Sequence, residues 1–374
     1  MKIARGIILG CVLAGVWGFA GLGAAQTTRP ASGPAQWILP LPARCEVIHI
    51  DVSADARHCS YSASGMPEPG KYMFVQALLD LQTARATKVE ALFASAVKGK
   101  IEEVTDQAFS PDGQYLAAAV VLKGKPPSAA ACVVRLKGRK VTKVAQAARV
   151  HATWVGRRLY VGLFGADGSL TALRRADPAA GKTTRLPFVG LVLGPGPEKD
   201  SLLALCKPDA LDKPISRRDG ITACHIAVLS GEGKVVRKIT PQKGLLALPS
   251  VSAGGLYCAC TAAGGAGGLE DFMGGGSGEI NVFDLRTGKQ RTVKAEGATL
   301  QAVTDDGRVL ATRRGAGGKT LVLIGPDGKS RELAKGVQAV TVAGGRIYYV
   351  TAADKGVVLK ALPLPKAPAT APSQ

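Results

Sequence analysis

Residues that commonly do chemistry are sparse in this chain, which has four histidines and eight cysteines among 374 residues. A Gly-x-Ser-x-Gly nucleophile elbow is missing. Gly276-Ser277-Gly278 comes closest, but Glu279 takes the final place and no strand-to-helix turn is expected around it. Zinc-type spacing is also missing. Cys258-Ala259-Cys260 would put two thiols on one face of a strand, with no second pair or nearby histidine to complete four ligands. Two small buried side chains explain it. No catalytic residue, metal or cofactor is expected.

Three features remain as candidates. Asp51 and His151 fall on segments that would line the centre of a ring of repeats, where they could bind a cation or polar ligand. They belong to non-adjacent repeats, and the equivalent positions Ala108, Ser250, Ala302 and Val340 are small or apolar, with Ser250 the one polar exception. The competing reading is a hydrogen-bonded structural role. "GGAGGLEDFMGGGSGE" (264–279) lacks the lysine and following helix of a phosphate cradle. It reads either as a flexible connector or as an apolar tip, Phe272 and Met273 beside Glu270 and Asp271, for a partner. Cys206 and Cys224 flank one long insertion and would form either a disulfide across it or two buried thiols.

These residues must be positioned by a repeating element. "SPDGQYLAAAVV" (110–121) is a tight turn running into an apolar strand, and the pattern recurs. It returns as "SADARHCSYSA" (53–63), "WVGRRLYVGLF" (154–164), "GPEKDSLLALC" (196–206), "SAGGLYCACTA" (252–262), "TDDGRVLATRR" (304–314) and "VAGGRIYYVTA" (342–352). Most are preceded by a short strand and followed by a second hairpin, such as "INVFDLRTGKQRTV" (280–293). Cys59, Leu116, Leu159, Leu203, Tyr257, Leu310 and Ile347 anchor the second strands. Four-stranded units every 40–50 residues or so mark β-propeller blades, and sustained helical periodicity is absent. The fold predicted is all-β: a seven-bladed propeller over 36–365, with insertions at 123–131, 207–221 and 262–278. The last repeat lacks an outer strand, which "AQWILPLPA" (35–43) would supply, closing the ring and removing an exposed edge.

"FSPDGQYLAAA" resembles the WD40-like repeat of exported TolB-type propellers, matching at Ser110, Pro111, Asp112 and Gly113. "VFDLRTGK" (282–289) resembles the outer hairpin of that superfamily. Gly-His and Trp-Asp signatures of true WD40 repeats are absent, and no room is expected before Cys45 for the N-terminal α/β domain of TolB-type proteins. The resemblance implies architecture; function does not travel with it. Propeller-bearing serine peptidases append an α/β domain, and none is expected here after the last histidine, His225.

Residues 1–25 read as a cleaved signal peptide. Lys2 and Arg5 precede a charge-free apolar run over 7–22, and Gly23-Ala24-Ala25 offers a small-residue cleavage site. Ile8-Leu9-Gly10-Cys11 resembles a lipoprotein box, but Cys11 comes too early in the apolar run. Residues 26–35 and 366–374, rich in proline and alanine, read as disordered ends. Cleavage takes the formal charge from +20 to +18, spread along the chain with no basic stripe. That pattern argues against specific nucleic-acid binding. An exported, periplasmic or extracellular monomer without a transmembrane segment is expected. It would be non-catalytic and bind a partner protein or anionic envelope polymer through its loops and one face. The alternatives are a propeller-type enzyme (lyase, lactonase or quinone-dependent dehydrogenase) with a site in the central channel, and a purely electrostatic polyanion binder. Intact-mass measurement of the exported protein is expected to give a chain starting at Gln26; retention of residues 1–25 would refute the signal-peptide reading.

Overall fold

The turn that opens most repeats dictates its own hairpin. In "SPDG" the Ser110 hydroxyl donates to the Asp112 carboxylate at 2.6 Å and accepts the Tyr115 N–H at 2.9 Å. The backbone adds Gly113 N–H to Ser110 C=O and Ser110 N–H to Tyr115 C=O. Ser53 with Asp55, and Thr304 with Asp306, repeat the arrangement, and Ser252 caps its turn by accepting the N–H groups of Leu256 and Tyr257. These hydroxyls are buried, so each must find its partners inside the turn.

Around these turns the computed structural model forms seven four-stranded antiparallel sheets among the described residues. Those are 36–126, 128–207, 209–215, 225–239, 249–261, 279–295, 297–315, 318–354 and 356–365. The proposed leader (1–35), the tail (366–374) and the glycine-rich segment with Glu270, Asp271, Phe272 and Met273 lie outside them.

The chain enters through β1 (Gln36–Leu39). Blade one follows with β2 (Cys45–Val52), β3 (His58–Glu68), β4 (Lys71–Asp80) and β5 (Ala86–Lys88). Blade two is β6 (Ile101–Phe109), β7 (Tyr115–Leu122), β8 (Ser128–Arg135) and β9 (Val141–Ala147). Blade three is β10 (Arg149–Val155), β11 (Arg158–Phe164), β12 (Leu170–Asp177) and β13 (Lys182–Arg185). Blade four is β14 (Gly190–Pro195), β15 (Leu202–Cys206), β16 (His225–Leu229) and β17 (Val235–Ile239). Blade five is β18 (Ser250–Val251), β19 (Tyr257–Thr261), β20 (Glu279–Asp284) and β21 (Gln290–Lys294). Blade six is β22 (Ala298–Val303), β23 (Val309–Gly315), β24 (Gly318–Ile324) and β25 (Ser330–Ala334). Blade seven has β26 (Val337–Ala343), β27 (Arg346–Ala353) and β28 (Gly356–Pro363). All seven anchor residues read from the repeat lie on second strands.

The ring closes as the sequence implies. β1 pairs antiparallel with β28, from Gln36↔Lys360 to Leu39↔Val357, as the outer strand of blade seven. Innermost strands touch their neighbours in turn, and β26 touches β2. Trp37 Nε1 donates to Leu81 C=O of blade one at 2.9 Å. Leu39, 2% exposed, packs in one cluster with Tyr61, Leu79, Tyr348 and Leu359.

Two details depart from expectation. The insertion at 123–131 shrinks, because β8 already begins at Ser128. Its run Ala129 to Val134 is buried on both faces between neighbouring blades, so no alternation marks where the strand starts. Between blades one and two, α1 (Val89–Phe93) forms a single helical turn that buries Val89, Leu92 and Phe93.

Because strands alternate in direction, first-to-second and third-to-fourth strand turns share one end of the ring, the turn end. Second-to-third connections and the crossings between blades share the other, the connection end. Leu39→Ala is expected to lower unfolding free energy by about 2–5 kcal/mol without changing strand content. Denaturant melts followed by circular dichroism check this; an unchanged midpoint would mean that β1 is not part of the closed ring.

Candidate functional site

Asp51 and His151 both sit on innermost strands, β2 and β10, two blades apart. The structure does not join them directly. Asp51 accepts the N–H of Val52 at 3.0 Å and, across the blade boundary, the N–H of Phe109 on β6 at 3.1 Å. An innermost strand has one edge without a ladder partner, and Asp51 satisfies one such N–H. Burial pushes its carboxyl up to about 6, with the two backbone N–H groups partly offsetting the rise.

His151 is tied to a residue that the sequence did not single out, Asp106 on β6. Its Nδ1 lies 3.1 Å from Asp106 Oδ2, and its Nε2 lies 3.1 Å from the Thr153 hydroxyl. One tautomer serves both contacts: Nδ1–H donates to the carboxylate, and Nε2 accepts the threonine proton. About a quarter of each of the His151 and Asp106 side chains stays exposed. Three residues after His151 on β10, Trp154 Nε1 donates to Ala108 C=O of blade two at 3.0 Å.

Asp106 reaches His151 because β6 bulges. The β6–β7 register shifts between Thr105 and Ala108, leaving Asp106 and Gln107 unpaired, with Asp106 at φ +50°. A bulge bends the strand and re-aims the extra side chain, and aspartate tolerates this left-handed conformation better than most residues. Similar shifts occur at 47–49 in β2, 192–194 in β14, 300–302 in β22 and 337–340 in β26.

Other titratable groups adjoin Asp106. His49 keeps solvent contact, yet crowding strips enough hydration to lower its pKa, and the Asp106 carboxylate opposes that. Glu103 is raised by burial first, then by the carboxylates of Glu102 and Asp106. The arrangement can orient an imidazole, polarise a threonine hydroxyl and offer donors and acceptors to a polar ligand. Among the described residues no group of three or more His, Cys, Asp or Glu is arranged as a metal centre.

Cys258 and Cys260 pack with Leu203, Val228 and Phe283, and burial raises both thiols. Cys206 is buried opposite His225, and Cys224, its expected partner, lies outside the described residues.

No protein-family model matches this chain, and no curated protein matches its sequence. Solved structures do. The β-propeller domain of the Trilobed protease from Pyrococcus furiosus superposes with a TM-score of 0.55 at 14% identity, covering 86% of this chain and 98% of that one. Pyrococcus horikoshii acylaminoacyl peptidase gives 0.53 at 15% identity over 87% of this chain and 53% of that one. This chain therefore spans about half the length of that peptidase. TolB from Acinetobacter baumannii is matched at 0.44 and 13% identity, over 76% of this chain and 77% of that one. At these identities the likeness is one of fold alone, that of a β-propeller.

The raised Asp51 pKa has a signed consequence. Its carboxyl holds a proton more readily folded than unfolded, so its contribution favours folding at low pH and is lost as pH rises through about 6. The stability difference between wild type and Asp51→Asn is expected to shift in favour of wild type between about pH 7.5 and about pH 4.5. Denaturant melts at both values test this, and a pH-independent difference would refute it.

Proposed function

We propose that this chain is an exported, non-catalytic propeller that docks a partner protein at its connection end. The observation that carries this reading is an exposed apolar row on blade one. β3 and β4 are the longest strands, at 11 and 10 residues, and their outer ends carry Met66, Tyr72 and Phe74 at 56%, 48% and 41% exposure. Tyr72 and Phe74 share one strand face by alternation. Met66 stands opposite them, just past the Gly65↔Met73 rung. A hydrophobic row at the tip of a hairpin costs solubility, and its ordinary use is contact with another protein. At this same end β15 stops and β16 starts, as do β19 and β20.

A second reading has one observation in its favour. The chain of contacts through Asp106, His151 and Thr153 would serve a ligand or a reaction in the central channel. The propeller class accommodates both readings.

Pull-down from an envelope extract with wild type and a Tyr72→Ser/Phe74→Ser variant separates the outcomes. Capture by wild type at low and moderate salt, falling about tenfold or more in the variant with an unchanged melt, is the expected result. Equal capture by both proteins would refute docking through the hairpin. Capture abolished by salt in both would point to the basic surface instead.

A further inference from the structure

At the turn end, on the opposite side of the ring from the apolar hairpin, a cavity of about 320 Å³ opens between blades one and two. We propose that this cavity is a binding site for a small organic carboxylate with an apolar body. Three features of its lining define that ligand.

The first is uncompensated positive charge. Arg85 and Arg139 stand at the mouth, and neither has a carboxylate partner within ion-pair distance among the described residues. The Arg139 Nη2 group donates to the Thr87 hydroxyl at 3.4 Å, a long contact that leaves most of its fork unused. The Gly138-Arg139 turn, with both residues at positive φ, carries Arg139 from blade two towards the lining residues of blade one. Asp80 is the sole acid in the lining. Its Oδ1 is already occupied by the N–H groups of Gln82 and Thr83, and the Thr83 hydroxyl also bonds to this carboxylate. Two guanidinium groups against one committed carboxylate leave a net positive mouth, suited to bidentate capture of a carboxylate.

The second is an unanswered polar atom. His58 Nδ1 is buried without a hydrogen-bond partner, as are Ser60 Oγ, Gln107 Oε1, Arg174 Nε and Thr351 Oγ1 elsewhere among the described residues. Burial lowers the His58 pKa, Asp80 and Asp55 oppose that, and Arg57 and Arg139 add to it. A neutral ring turned so that Nδ1–H faces the cavity would donate to an anion held by the arginines. A ligand that accepts from it would satisfy a donor that the protein leaves unpaired.

The third is the floor, made of Leu78, Leu92, Val134 and Leu136. Leu92 comes from the single turn of α1 between the blades. An apolar floor beneath a cationic mouth selects an amphiphilic acid over inorganic phosphate, and the volume matches a ligand of a few carbons.

Calorimetric titration of the full chain with hexanoate, and separately with inorganic phosphate, tests the assignment. Saturable hexanoate binding is expected, weakened at least about tenfold by Arg85→Gln and by Arg139→Gln. It should be unchanged in Arg157→Gln, which removes an exposed charge elsewhere. Hexanoate should also shift the His58 imidazole resonances in a nuclear magnetic resonance spectrum, a readout independent of the variants. No saturable hexanoate binding, an equal loss in Arg157→Gln, or binding of phosphate in place of hexanoate would each overturn the proposal.

Discussion

The smallest constraint with the widest reach is the buried hydroxyl at the start of a blade. Ser53, Ser110, Ser252 and Thr304 each lie almost wholly out of solvent, 5% exposed or less. Leaving such a group unpaired would cost about 1–3 kcal/mol, so the turn adopts the one geometry that satisfies it. That geometry sets the register of the first strand against the second. It also makes the turns compact enough to press against one another around the ring. A Cβ on Gly113 would come within 3.0 Å of Asp55 in the next blade, and Gly113 sits at φ +68°, so no other residue serves both needs there. The Gly254 N–H donates to Asp305 across another blade boundary at 2.8 Å.

Pinning the innermost strands at the turn end leaves the rest of their length free to depart from regular pairing. They bulge in several blades, and the bulge in β6 assembles a chain of polar contacts, Asp106 to His151 to Thr153. Asp51 lies nearer the turn end, two residues before Ser53, where the strands are held in place. Its carboxylate answers a backbone N–H of the neighbouring blade that the open inner edge would otherwise leave unpaired. A ligand taken up by Asp51 would have to replace that bond, whereas one taken up by His151 and Asp106 would meet partly exposed side chains.

The fold was legible because its signal is local and repeated. Turn residues announce φ, and apolar runs announce second strands, in each of seven units. β8 blurred at its start because "SAAACVVR" is buried on both faces and carries no period. Asp106 was illegible for a related reason. Counting back from a turn assumes one residue per rung, and a bulge adds residues that alternation cannot reveal. The cavity between blades one and two escaped notice because His58, Arg85 and Arg139 belong to three different turns, and only the packing of one blade on the next brings them together.

Charge alone does not select a partner for a molecule of this kind. A formal +20 on the chain draws any anionic surface, but exposed charges are screened within about 8 Å at physiological salt. Surface ion pairs here, such as Lys71 with Glu68 and Lys329 with Asp327, are solvent-exposed, and pairs of that kind contribute about 0–1 kcal/mol. Discrimination must come from places where water is excluded or a buried atom lacks its partner. The exposed hairpin row of Met66, Tyr72 and Phe74 would become the first kind once a partner covers it, and the His58 cavity is of the second. They lie at opposite ends of the ring but both involve blade one, whose long strands and appended helical turn depart from the common repeat. Where a repeat protein departs from its own pattern, the departure needs a reason beyond closing the ring, and recognition is the reason proposed for these surfaces.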